Sequence, residues 1–283
     1  MIDNLPEKPK TIISDLKEFD KNEKSLHMST TAKNIDRLKD LSIENLWLIG
    51  ANDKELRKIL PLVKLKYLNL YQVLVKDLTI LETLSKTETI ILHWNTKATA
   101  LWNIDENKCL KALEVTDFSK LEDINQLSQA RQINSLTFGG GHQKPLRIKS
   151  LKPLESLKNL RFLNLTNIKI EDDTLQPLGK LIDLEVLQLS NQFETKEYAW
   201  LATRLPNTKC KMFQATNSCK IVNSKNSIVH DTMITGKRKP FLLSDRDQLR
   251  IDKYIKDFER LKNKLSEKTA THNITLDPAG GSE

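Results

Sequence analysis

Between residues 157 and 191 one arrangement of apolar and polar positions is spelled twice. Leu160, Leu163 and Leu165 are answered by Leu184, Leu187 and Leu189, and each triplet closes on Thr-Asn or Ser-Asn. A spacing of i, i+3, i+5 suits neither a helix nor a long strand. It fits a short extended segment entered through a bend, with alternate side chains turned into a core. The extended pair recurs along the chain as Leu26/Met28, Leu46/Leu48, Leu68/Leu70, Ile90/Leu92, Leu113/Val115, Leu136/Phe138, Leu163/Leu165, Leu187/Leu189 and Cys210/Met212. The steps between first members are 20, 22, 22, 23, 23, 27, 24 and 23 residues. Residues 25–213 therefore form one tandem array, with about seven full units and an atypical one at each end.

Between these pairs lie segments such as Asp77-Leu-Thr-Ile-Leu-Glu-Thr-Leu and Leu151-Lys-Pro-Leu-Glu-Ser-Leu, whose leucines stand three or four apart. They predict short helices or 3-10 turns with one buried face. A unit of one short strand and one helical turn cannot bury its apolar side alone. Stacking does so: strands join into a parallel sheet, helical turns line the other side, and leucines fill the space between.

Leu-x-x-Leu-x-Leu recurring at this period resembles the leucine-rich repeat proteins, nearest to the short-repeat, internalin-like bacterial subclass, over roughly two thirds of the chain. The resemblance implies an α/β solenoid. It would be a right-handed horseshoe with a parallel β-sheet on the concave face, short helices or 3-10 turns on the convex face and, here, a C-terminal helical extension. It also implies protein binding as the function. One departure stands out. The family's usual Asn three residues after the third apolar position is present at Asn95 but replaced by Ala51, Val73, Phe118, Ile168 and Gln192. Loop amides must find other partners, and irregular turns are expected.

The expected layout is an N-terminal capping segment at 1–24, the solenoid at 25–213, closing strands or a linker at 214–243, an amphipathic helix at 244–267 and a disordered tail at 268–283. The helix is marked by Ile251, Tyr254, Phe258, Leu261 and Leu265, with Ser244 as cap and Asp247 completing a capping box. It could cover the open end of the solenoid or dock a partner.

Composition changes little. The net charge of +8 is spread evenly, with 32 basic and 28 acidic side chains in 1–213 and 13 and 9 in 214–283. Three distant cysteines supply neither a disulfide framework nor a metal pair. The start of the chain lacks the apolar run of an export signal, which the family's secreted members carry, and no run is long enough to span a membrane. A cytoplasmic location and a monomer are the default expectations.

The repeat phase identifies the outward sheet positions. Large side chains gather in the N-terminal third, and rigidly held aromatics are where interfaces concentrate binding energy. The candidate partner-binding residues are Trp47, Ile49, Tyr67, Asn69, Tyr71, Ile91, His93, Trp94 and Glu114. Alternatively, the N-terminal segment folds over this patch, or its rings merely stack across strands. A second feature, Gly139-Gly-Gly-His-Gln-Lys-Pro, expands the longest unit. It reads as a protruding loop with Gly139 and His142 as further contacts, not as a phosphate cradle. The five histidines and three cysteines show no catalytic or metal-ligating spacing, and no cofactor is implied. Ubiquitin-ligase domains found on some leucine-rich repeat proteins do not fit the 70 residues after position 213. The reading is a non-enzymatic module holding a protein or peptide on its concave face. The alternatives are nucleic-acid or anionic-surface binding through Lys237-Arg-Lys and the last helix, or a structural subunit docking through that helix.

Overall fold

The computed structural model describes residues 5–142 and 144–274, with side chains followed to 267. The remainder of the expected tail, 275–283, lies outside the described residues. The chain forms two compact units, residues up to 173 with 183–188, and residues 174–182 with those from 189 onward.

The first unit is built on strands β1 (Ile13–Asp15), β2 (Ser25–Lys33), β3 (Asn45–Ile49), β4 (Tyr67–Tyr71), β5 (Thr89–Asn95), β6 (Ala112–Phe118), β7 (Ser135–Gly139), β8 (Leu146–Ile148), β9 (Phe162–Thr166), β10 (Ile168–Ile170) and β11 (Val186–Leu189). Nine of them make one sheet in the order β1-β2-β3-β4-β5-β6-β7-β9-β11. From β2 to β9 every pairing is parallel and in register, so Leu46, Leu68, Ile90, Leu113, Leu136 and Leu163 lie side by side. All of these, with their second members from Leu48 to Leu165, are buried. The apolar pairs of the sequence are thus the inward residues of short parallel strands.

The returning segments are mainly 3-10 turns, at Ile35–Asp40, Leu60–Leu62, Thr79–Thr83, Ile104–Glu106, Asn125–Gln129 and Lys152–Ser156, with one α-helix, α1 (Asp53–Ile59). Their apolar residues stand three apart because 3-10 bonds do. Leu81 donates to the Leu78 carbonyl and Leu84 to that of Leu81, and Leu151, Leu154, Leu157 and Leu160 repeat the scheme. α1 differs because Asn52 and Glu55 close a reciprocal capping box.

Two devices fix the register. The residue before each strand offers its carbonyl to two amides of the next repeat, as Lys66 does to Glu88 and Thr89, and Lys111 to Asn134 and Ser135. The side chains at this position alternate in charge. Glu44 lies between Lys24 at 2.6 Å and Lys66 at 2.7 Å, and those lysines hold its carboxyl down at about 2. Lys111 pairs with Glu88, and Arg161 with Glu185.

The turns after the strands are more regular than expected. The ends of β3, β4, β5, β6 and β9 each carry one residue in left-handed backbone, at Gly50 (φ 69°), Gln72 (58°), Trp94 (58°), Asp117 (58°) and Asn167 (49°), whereas the end of β7 carries none. Where Asn is missing, backbone pairing substitutes for it. β5 and β6 extend to pair Asn95 with Phe118, and β8 runs parallel to β10, pairing Leu146 with Ile168. Asn95 keeps the family's role, donating to the Val75 carbonyl at 2.8 Å and accepting from the amides of Lys97 and Ala98.

The second unit contains α2 (Thr195–Arg204), a three-stranded antiparallel sheet of β12 (Thr216–Val222), β13 (Ile228–Ile234) and β14 (Phe241–Leu242), and the helix α3 (Ser244–Ile274). α3 packs on α2 and on this sheet. Ile251 and Phe258 are buried, and Ile251 packs with Ile234, Leu242 and Tyr254. The cap differs from the expected one. Ser244 donates its hydroxyl to Asp231, and Asp247 reaches back to the Leu243 amide at 3.2 Å, one residue earlier than a Ser244 box requires. Asp247 itself breaks the helical backbone, and hydrogen bonds from Arg246 and the Leu243 amide hold its carboxyl at about 2. The helix also runs past 267, to Ile274.

Candidate functional site

Because side chains alternate across a strand, the register that buries the leucines sets three rows on the other sheet face. The middle row reads His27, Trp47, Asn69, Ile91, Glu114, Thr137, Asn164. The row beyond it brings Ile49, Tyr71, His93, Thr116 and Gly139 side by side. All the candidate residues except His142 therefore belong to β3–β7, with Trp94 directly after His93 in β5.

Their environments divide them. Trp47, Tyr67 and Ile91 are only 4%, 5% and 3% exposed and form one apolar cluster, in which the Trp47 and Tyr67 rings lie 4.8 Å apart at 43°. The expected open aromatic patch is therefore closed at these three positions, because large side chains from three successive strands pack on one another. Asn69 donates to the Tyr67 hydroxyl at 3.2 Å, and burial pushes that phenol up. Tyr71 and Trp94, by contrast, are 46% and 39% exposed and meet edge to face with centroids 5.9 Å apart. Trp94 occupies the left-handed corner, a conformation that disfavours a bulky side chain, and its ring thereby stands outside the strand's alternation.

His93 and Glu114 lie between the two groups. His93 Nδ1 is 2.5 Å from Thr116 Oγ1, and Nε2 is 3.6 Å from a Glu114 carboxylate oxygen, too far for a hydrogen bond. Burial pushes the imidazole below its ordinary value and the carboxyl above its own. Desolvation thus outweighs their mutual attraction. Thr116, which orients His93, was not singled out in the sequence, although its register position beside His93 follows from the repeat phase.

The glycine segment takes a different part from the one its composition suggested. Gly139 is buried, and a Cβ there would stand 2.1 Å from the Thr166 carbonyl oxygen. At Gly140 it would meet Asn167 and Leu146 backbone, and at Gly141 the Asp117 carboxylate. These glycines permit close approach of neighbouring backbone, not of a ligand, and none of the three has positive φ. His142 is exposed beyond them. His27 was also missed. It is buried, with Nδ1 3.0 Å from the Pro9 carbonyl, so the N-terminal segment covers the start of the middle row. That segment borders an open depression of about 650 Å³ lined by Glu7, Lys8, Phe19 and His27, among others.

Among the described residues no three His, Cys, Asp or Glu side chains are grouped to hold a metal, and no helix is long and apolar enough to cross a membrane. Burial pushes Cys210 up to about 11, away from nucleophilic use at neutral pH. Several bases of the C-terminal extension are engaged. Arg246 and Arg250 contact Asp247, Lys262 contacts Glu259, and Lys239 lies over the Tyr254 ring at 5.5 Å.

No protein-family model and no curated protein matches the chain. Solved structures do. Internalin C2 of Listeria monocytogenes matches over 63% of this chain and 74% of its own, at 20% identity and a TM-score of 0.44. Internalin F of the same organism matches over 67% and 62%, at 18% identity and 0.44. A leucine-rich repeat protein of Leptospira interrogans matches over 66% and 51%, at 22% identity and 0.47. The leucine-rich repeat architecture itself stands on the strand register, the 3-10 turns and the buried leucine rows described above.

Proposed function

We propose that this leucine-rich repeat solenoid is a non-enzymatic interaction module that takes a protein or peptide on the sheet face of β3–β6, with Tyr71 and Trp94 as its anchors. The observation that carries the reading is that these two large rings stand exposed together, edge to face, beside a closed apolar floor. Tyr and Trp supply large contact area at little conformational cost, and few residues dominate an interface. Trp47, Tyr67 and Ile91 serve as the rigid floor, whereas Ile49, Asn69, His93 and Glu114 border the anchors. Gly139 shapes the neighbouring loop, and His142 is its exposed tip. Three free thiols favour a reducing cytoplasm as the place of work.

The full chain, used as bait in extract of its own cells, tests this. Wild type is compared with Tyr71→Ala, Trp94→Asn and the control Gln188→Ala, whose exposed side chain lies on the regular part of the sheet. Asn is chosen because Asn167 already occupies the equivalent corner. A partner reduced about tenfold or more in both anchor variants and retained by the control is expected. Identical partner profiles in all four would remove the assignment.

A further inference from the structure

Glu114 is an isolated charge in an apolar setting. Its register neighbours are Ile91, part of the closed cluster, and Thr137. The side chain is 23% exposed, and among the described residues the one basic group within 4 Å of it is His93. The lysines of the adjoining repeats are committed elsewhere, Lys66 to Glu44 and Lys111 to Glu88. A carboxylate so placed destabilises the free chain, and what the site lacks is a positive charge. On the far side of His93, Tyr71 and Trp94 offer exposed aromatic surface. Two strand spacings, about 10 Å, separate the Tyr71 strand from that of Glu114.

We infer that this stretch of the face receives an arginine side chain of the partner, with its guanidinium on the Glu114 carboxylate and its stem across His93 beside the Tyr71–Trp94 pair. Arginine fits better than lysine. Its planar fork matches a carboxylate with two hydrogen bonds, it is less strongly hydrated than an ammonium, and it stacks on aromatic faces. The inference rests on the proposed docking face and adds the residue that the partner brings to it.

The probe is N-acetyl-arginine methylamide, with N-acetyl-citrulline methylamide as the neutral analogue of the same shape. Each is titrated into the ¹⁵N-labelled full chain, wild type and Glu114→Gln, and amide shifts are followed. The expected result is saturable shifts grouped at residues 93–95 and 114–116 with the arginine compound, weakened several-fold for citrulline and for Glu114→Gln. The spectrum of the free Gln variant, unchanged away from position 114, shows that the fold is kept. Shifts that do not saturate, that are matched by citrulline, or that survive Glu114→Gln overturn the inference. Such a failure removes the arginine alone. The docking face is judged separately by Tyr71→Ala and Trp94→Asn, which leave Glu114 in place.

Discussion

The strands β3–β6 and the strands β7, β9 and β11 rest on the same inward apolar rows yet turn different surfaces outward. The first group carries a closed aromatic cluster, two exposed rings and a carboxylate with no cation beside it. The second presents Thr137 on β7 and, on the two repeats whose sequence is cleanest, Asn164, Thr166 and the exposed Gln188. The contrast follows from the period of two. Inward residues are constrained by packing against their neighbours, whereas outward residues can change without disturbing that core. Regularity marks scaffold, and the departures from it on the outward rows are where recognition is proposed.

The largest effect comes from breaking the scaffold. Leu163→Ala removes a fully buried side chain from the regular half and should cost about 2–5 kcal/mol, lowering Tm by at least about 5 °C. Tyr71→Ala, on the other half, should change stability by less than about 0.5 kcal/mol while abolishing partner capture. Equal loss of Tm in both variants would mean that the two halves are not divided as described. Gly139→Ala comes next. Its Cβ would meet the Thr166 carbonyl oxygen at 2.1 Å, so β7 and β9 must separate locally. A cost of about 1–3 kcal/mol is expected, with faster amide exchange at residues 139–141 and 166–168. Unchanged exchange there would return the glycines to a role in flexibility.

The scaffold was legible in the sequence because each inward position must be apolar and eight of the nine repeated pairs became strands; the ninth, Cys210/Met212, did not, since Met212 falls in a 3-10 turn at Lys211–Phe213. The returning turns were legible for a similar reason, since leucines three apart match the 3-10 period. The closure of Trp47, Tyr67 and Ile91 was not. Phase shows which way a side chain points, but whether it is covered depends on neighbours from other repeats at the same register. The left-handed corner at Trp94 and the close packing at the glycines escaped for a second reason: backbone conformation at a corner and the clearance beside a Cα leave no trace in an apolar pattern. The Ser244 cap shifted because Asp231, on another strand, competes for its hydroxyl.

A smaller effect separates the halves by pH. Burial lowers the pKa of His93, so on acidification the unfolded chain takes up this proton first. The corresponding stability is fully present above about pH 6.5, the ordinary histidine value, and is lost as pH falls through the lower folded value. Denaturant midpoints should therefore decline below that point, and His93→Gln should flatten the decline. His27, also lowered by burial, contributes in the same direction. The same row in the regular half holds Gly139 and Thr166, which do not titrate. A slope untouched by His93→Gln would place the proton uptake outside β5.

The smallest expected change has the opposite sign and bears most directly on the difference between the halves. Burial raises the Glu114 carboxyl above its ordinary value, so folding favours the protonated form. The stability linked to this group is present below about pH 4.5 and is lost as pH rises through the folded value. At pH 7 the wild-type chain therefore carries a cost that an amide does not, and Asn164, two strands along the same row, shows that the scaffold accepts an amide there. Glu114→Gln should melt slightly above wild type at pH 7 and together with it at pH 4. A Gln variant that melts lower at pH 7 would mean that the carboxylate already has a cation within the free chain. The irregular half would then have no charge left to offer an arginine, and Tyr71 and Trp94 alone would distinguish it from the regular one.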